Sequence, residues 1–193
     1  VNALSNWLEV QIFQDGKVHK QRYERGHVMY PLKVVGECPM EQTGTRVDFM
    51  PDNTIFEETV FDFDTLKNRL REMAFLTKGL KIILKDDRLV DEEGNKKTLV
   101  KEFHYEGGIK EFVEYLNHSK TALYENIMYF EGTKNDVYVE VALQHNDSYT
   151  ENVYSFVNNI TTPEGGTHED GVKQSITKLI NTYGKSNKLL KDN

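Results

Sequence analysis

The sequence predicts an α+β fold in two parts, and three observations carry that. Alternating segments closed by turn signals crowd the first fifty residues, three later stretches carry apolar residues at helical spacing, and the apolar supply is that of a globular chain. Hydrophobic residues make up 38% of the 193, with 10 Phe and 10 Tyr to furnish a core. A chain of this length buries about 70% of its unfolded surface on folding. Cys38 is the only cysteine, which excludes a disulfide framework and fits a reducing, cytoplasmic setting. No run approaches the 18 apolar residues of a membrane span and no basic-then-apolar leader opens the chain, so neither insertion nor secretion is predicted. The 24 Lys and Arg against 31 Asp and Glu give a net charge of −7. That balance argues against direct wrapping of nucleic acid, which calls for a basic excess.

The elements follow in order. Val1-Asn2-Ala3-Leu4-Ser5 has no helix start signal and reads as the tail of an earlier element. Trp7 to Phe13 alternates as a strand, Asp15-Gly16 is a strong hairpin signal, and Val18 to Tyr23 is the return. Lys17, Lys20, Arg22 and Arg25 make this return locally basic. Pro31 introduces a strand over Leu32–Val35, and Thr43-Gly44 turns into Thr45–Met50, which stops at Pro51-Asp52. These strands read as an antiparallel meander. Asp64 is placed to cap a helix with Leu66, Leu70, Met73 and Leu76 on one stripe, ended by Gly79. Leu80–Leu84 and Leu99–Tyr105 are strands around an acidic loop from Asp86 to Asn95. Gly107-Gly108 marks the boundary between the two parts. A second helix then carries Ile109, Phe112, Val113 and Leu116; Ile127–Phe130 and Val137–Leu143 are strands around a turn over Gly132–Asn135, and Asn152–Val157 is another strand. Gly165-Gly166 introduces a third helix capped by Thr167, with Val172, Ile176, Leu179, Ile180 and Tyr183 as its stripe and Gly184 as its end.

Local chemistry points to no obvious enzyme. The six His are not paired at metal-ligand spacing, and one Cys cannot build a thiolate site. There is no Gly-x-Ser-x-Gly elbow, no Gly-x-Gly-x-x-Gly and no Gly-x-x-x-x-Gly-Lys run. Four segments stand out, each with a plain structural alternative. Thr43-Gly44-Thr45 either satisfies a turn or offers a hydroxyl to a ligand ring. Tyr105-Glu106-Gly107-Gly108 breaks a strand before a helix. Asn158-Asn159-Ile160 satisfies a turn with its amides. Glu164-Gly165-Gly166-Thr167-His168-Glu169 either cradles an anion at a helix N-terminus or lets the backbone turn so that the helix packs on a sheet, and packing is the expectation.

Together these segments resemble one family. Val1-Asn2-Ala3-Leu4-Ser5, Thr43-Gly44-Thr45-x-Val47-x-Phe49-x-Pro51-Asp52, Leu70-Arg71-Glu72-Met73-Ala74-Phe75-Leu76, Phe103-His104-Tyr105-Glu106-Gly107-Gly108-Ile109 and Asn158-Asn159-Ile160 with Glu164-Gly165-Gly166-Thr167-His168 are similar, in order and spacing, to the ATPase subunits of bacterial type II DNA topoisomerases. The resemblance covers nearly the whole chain except Asp86–Lys97 and the tail. It implies that residues 1–106 are the C-terminal part of a GHKL (Bergerat-type) ATP-binding α/β sandwich, and that residues 107–193 are a transducer domain with a ribosomal protein S5 domain 2-like fold, truncated before its Gln-Thr-Lys loop. In this family ATP binding closes a dimer around a DNA segment, hydrolysis drives strand passage, and the transducer carries the nucleotide state to the cleavage core.

The resemblance also implies what the chain lacks. The general-base glutamate, the magnesium-ligating asparagine, the Asp-x-Gly-x-Gly stretch and the glycine-rich lid all precede Val1 in the family, and the γ-phosphate lysine follows Asn193. No catalytic residue and no metal ligand is therefore expected here, and the chain alone is expected neither to bind ATP tightly nor to hydrolyse it. Thr45 matches the threonine of the adenine hydrogen-bond network, and Val47, two residues on, lines the same pocket. Gln14 stands where many members have an arginine that contacts aminocoumarin inhibitors. The family's supercoiling and decatenating branches share these motifs. A mismatch-repair or chaperone ATPase of the same superfamily lacks the Tyr-Glu-Gly-Gly and Glu-Gly-Gly-Thr-His pair, and a free-standing binding module is the remaining alternative. At the C-terminal end Lys173, Lys178, Lys185, Lys188 and Lys191 face only Asp192, a local charge of +4 that suits a helix C-terminus and leaves room for minor DNA contact.

Overall fold

Two-residue turns that need left-handed backbone set the hairpins. In the computed structural model, which describes residues 1–190, Asp15 and Gly16 take φ of 52° and 74°. This mirror-image turn matches the twist of the strands it joins, here β1 (Ser5–Gln14) and β2 (Lys17–Glu24), paired antiparallel from Trp7↔Glu24 to Gln14↔Lys17. A short 3-10 turn over Asn2–Leu4 precedes β1. Beyond β2 lie β3 (His27–Val28), β4 (Lys33–Glu37) and β5 (Gly44–Pro51). The expected meander is corrected here. Both β3 and β4 pair with β2, and β5 crosses to the far side of β1, giving the order β3-β2-β1-β5. β5 alternates apolar residues that match those of β1 rung for rung, which draws it past the exposed β4 to the more apolar partner.

The backbone divides into two compact units, Val1–Asp62 and one from Phe63 onward. The second opens with α1 (Phe63–Leu76). Its start is corrected by two residues: Asp64, expected as the cap, lies inside the first turn, where its carboxylate takes Lys67. The buried residues of α1 are Ala74 and Phe75, while Met73 is 36% exposed, so the buried face is rotated from the expected stripe. Phe75 is the cause. Its ring stacks on Tyr105 with centroids 3.6 Å apart and on Phe112 at 4.9 Å. β6 (Lys81–Val90) and β7 (Lys96–His104) form a long hairpin. The acidic loop therefore shrinks to its tip, where Asp91 accepts the amides of Glu93 and Asn95.

α2 (Ile109–Asn117) starts after Gly108 at φ 62° and buries Phe112 as expected. The boundary expected after Glu106 thus falls inside the second unit, because Phe75 packs on residues from both sides of it. β8 (Met128–Lys134) and β9 (Val137–Leu143) turn on Asn135-Asp136, both at positive φ, so Gly132 is within a strand and not in the turn. The strand expected over Asn152–Val157 is reduced to β10 (Phe156–Val157), paired with β11 (Ile160–Thr161). α3 (Thr167–Ser186) has Gly166 at its N-cap, so Thr167 is its first residue and caps nothing. It runs past Gly184, which is buried because Leu190 folds onto it: a Cβ there would meet Leu190 Cδ1 at 2.6 Å. Lys188, at φ 57°, makes the turn that Gly184 was expected to make. Leu179, Ile180 and Tyr183 are 70%, 55% and 62% exposed, so this stripe does not pack on a sheet among the described residues. Lys191 and Asp192 of the basic tail lie outside them.

Candidate functional site

The five-stranded sheet has two chemically different faces, because opposed residues share a face and successive ones alternate. Glu9 and Gln11 of β1 share one face with Lys20 and Arg22 of β2 and Arg46 and Asp48 of β5. It is laced by ion pairs: Lys20 Nζ reaches Glu9 at 2.7 Å, Arg46 bonds Asp48 at 2.8 Å, and Arg22 lies over the Trp7 ring at 5.0 Å. Lys20 holds the Glu9 carboxyl below its ordinary pKa, first through their hydrogen bond. The local basic run is thus largely neutralised in place, since Arg25 pairs with Asp52 as well.

The opposite face carries Val10, Ile12 and Gln14 of β1 with Val47 and Thr45 of β5, through the pairs Val10↔Val47 and Ile12↔Thr45. Gln14 follows Ile12 by two residues and so lies on the same face. All three residues singled out from the sequence therefore meet on one sheet face. It is apolar, with Val47 50% and Phe49 40% exposed. The Thr45 side chain makes no hydrogen bond among the described residues. An open apolar floor with one hydroxyl and one amide fits a flat heteroaromatic ring bearing donor and acceptor edges. It does not fit a metal: no three His, Cys, Asp or Glu side chains converge among the described residues.

Asp52 holds this floor in position, although its place in the sequence suggests only a strand stop. It is 1% exposed. It accepts the Thr54 amide at 2.9 Å, the Thr54 hydroxyl at 2.7 Å and Arg25 Nε at 2.7 Å. The Thr54 bonds, ahead of Arg25, hold its carboxyl below the ordinary range. Its amide also donates to Leu4 O at 3.1 Å, tying the end of β5 to the start of β1. The signal was legible, since Asp followed two residues later by Thr is the pattern of an Asx turn.

The glycine pairs of the second unit serve geometry. Gly107 N donates to Glu111 Oε2 at 3.0 Å. At Gly165 a Cβ would meet Glu169 Oε2 at 3.2 Å. A carboxylate of the helix itself thus takes the place an anion would need. Glu169 also accepts Lys173 at 2.9 Å and the Ser155 hydroxyl at 3.0 Å, and these two hold its carboxyl below the ordinary range.

A family model described as DNA gyrase B matches residues 108–193. The chain is 53% identical over all its length to the DNA gyrase B protein of Bacillus cereus, covering 46% of it. Along its whole length the chain is similar to DNA gyrase B proteins. It is 50% identical to the gyrase B protein of Halalkalibacterium halodurans and 49% identical to the DNA topoisomerase 4 B protein of Streptococcus pneumoniae, spanning 29% and 28% of them. The chain therefore spans half or less of the curated relatives it matches. Among solved structures, the 43K ATPase domain of Thermus thermophilus gyrase B in complex with an aminocoumarin superposes with a TM-score of 0.78 at 38% identity, covering 100% of this chain and 50% of that one. Gyrase B proteins and a topoisomerase 4 B protein thus match the same residues at nearly equal identity.

Proposed function

We propose that the chain is part of the ATPase and transducer region of a type II DNA topoisomerase, in which ATP binding and hydrolysis drive DNA strand passage and supercoiling. End-to-end similarity near 50% to gyrase B proteins supports this most. In this reading residues 1–106 complete a GHKL ATP-binding domain and residues 107–193 belong to the transducer. Thr45 donates and accepts at the adenine edge, directly and through a water, which a single hydroxyl can do at once. Val47 covers the ring from the same face, and Gln14 sits at the rim where an aminocoumarin would reach. ATP with Mg2+ is the cofactor of the longer enzyme, whose general base and phosphate lysine are not among these residues. The gyrase A protein is the partner in an A2B2 assembly that acts on DNA in the cytoplasm, and the ATPase regions pair with each other. The decatenating topoisomerase IV is the second reading, favoured by the 49% identity to its Streptococcus pneumoniae B protein.

The test is the adenine contact. In a full-length gyrase B protein that contains this segment, Thr45→Ala is expected to weaken ATP binding roughly tenfold, the size of one hydrogen bond to a buried ring edge, while Thr45→Ser keeps it. Unchanged affinity in the alanine variant refutes the assignment. The purified 193-residue chain is expected to show no ATP turnover, because charge compensation and a general base are both needed for phosphoryl transfer. Gln14→Arg restores a planar cation and is expected to raise aminocoumarin affinity in the same full-length protein.

A further inference from the structure

We propose that the β10–β11 hairpin is a relay that joins α1 to the first turn of α3, with Arg69 as its positioning residue. The hairpin has only two rungs, Phe156↔Thr161 and Val157↔Ile160, too few to be stable alone. Little apolar burial holds it, since Val157 is 50% and Ile160 67% exposed. Its position is set by polar contacts at both ends.

At one end the guanidinium of Arg69, on α1, makes a fork. Nη1 donates to Thr161 Oγ1 at 2.8 Å and to Glu72 at 2.9 Å, and Nη2 donates to the carbonyl of Asn159 at 3.0 Å. Asn159 Nδ2 returns a bond of 3.2 Å to Thr77 Oγ1, just beyond the same helix. Asn158 and Asn159 hold φ of 50° and 63°, a turn geometry that aims the Asn159 carbonyl at the fork. Charge-assisted paired bonds of this kind fix direction as well as distance.

At the other end Thr162, next to Thr161, bonds the Ser155 hydroxyl at 2.7 Å and His168 Nε2 at 3.2 Å, and Ser155 bonds Glu169 at 3.0 Å. One placement of hydrogens satisfies every group: His168 Nε2–H donates to Thr162, Thr162 to Ser155, and Ser155 to the Glu169 carboxylate. Such a chain polarises along its length. It ends on two residues of the first turn of α3. Thr161 and Thr162 are adjacent, so a shift of the Arg69 fork moves the head of this chain. The relay stands on these bonds and not on the topoisomerase reading, and either can fail without the other.

The test is amide hydrogen exchange by NMR on the 193-residue chain and on Arg69→Lys and Arg69→Ala. Lysine keeps the charge and loses the fork. The readouts are the Thr162 amide, bonded to Ser155 O at 2.9 Å, and the Asp170 amide, bonded to Gly166 O at 3.0 Å at the head of α3. Both are expected to exchange faster in each variant, roughly tenfold at Thr162 and several-fold at Asp170, while the β8–β9 amides stay within about twofold, as local opening is confined to its own unit. Faster exchange at Thr162 alone overturns the relay, because the hairpin would then be held apart from α3. No change at either site overturns it, and so does an equal rise in β8–β9, which would make Arg69 a support of the whole unit.

Discussion

Asp86 is a carboxylate that folding has placed under Arg88. It is 8% exposed and accepts Arg88 Nε at 2.8 Å, Nη2 at 2.7 Å and the Arg88 amide at 3.0 Å. The Arg88 side-chain bonds, then its amide, lower its pKa from 3.8 to about 2. A group whose folded pKa is depressed contributes stability above its unfolded value and loses it as pH falls through the folded one. The melting temperature of the chain is therefore expected to exceed that of Asp86→Asn at pH 7, and the gap to close between about pH 4 and pH 2. A gap that does not narrow over that range rules out the carboxylate as its source. Gly16 is the second residue with a definite requirement. Its φ of 74° is left-handed, and a Cβ would lie 2.6 Å from Met40 Sδ. Gly16→Ala is expected to cost about 1–2 kcal/mol, mostly backbone strain, with Gly16→Asn tolerated better; chemical denaturation measures both.

Phe75 organises the elements of the second unit. It is 1% exposed and touches the rings of Tyr105, Phe112 and Tyr115 with centroids 3.6, 4.9 and 5.5 Å away. Those rings come from the residue just after β7 and from α2. Phe75→Ala removes the ring and opens a cavity between three elements, which costs about 3–5 kcal/mol. For a chain of this size the melting point is expected to fall by roughly 10 °C, with loss of the near-UV aromatic signal. This hub also explains what the sequence could and could not disclose. The first hairpin turn was legible because Asp15-Gly16 carries its own backbone preference. The face of α2 was legible because its apolar residues recur at helical spacing, with Phe112 buried and Ile109, Val113 and Leu116 half-buried. The buried side of α1 was not, since Phe75 lies off its best periodic stripe and is chosen by rings distant in sequence. The end of α3 misled for the same reason: Gly184 serves the approach of Leu190, a tertiary need that looks like a stop signal. Of the candidate site, the family resemblance singled out Thr45 and Gln14 and the strand period added Val47, whereas the crossing of β5 to β1 that puts them on one face needed strand pairing at long range.

At the scale of the whole chain, charge sets what to expect of any contact with DNA. The net charge of −7 opposes approach to a polyanion, and the basic end is partly spent internally. Lys173 sits between Glu169 at 2.9 Å and Glu151 at 3.2 Å, and these carboxylates raise its pKa. An ammonium already paired on both sides releases no counterion when a phosphate arrives, so it adds nothing to the salt slope. Duplex binding by the chain is expected to be weaker than about 10⁻⁴ M at roughly 0.15 M salt, the weak edge of non-specific affinity, with a slope of log K against log salt no steeper than about −2. Fluorescence anisotropy across a salt series reads both. Glu151→Gln removes one of the two carboxylates and is expected to steepen the slope by up to about one phosphate contact, while Glu169 keeps the first turn of α3 in place. A wild-type slope near about −5, or micromolar affinity at that salt, would show that this chain grips DNA directly despite its acidic balance.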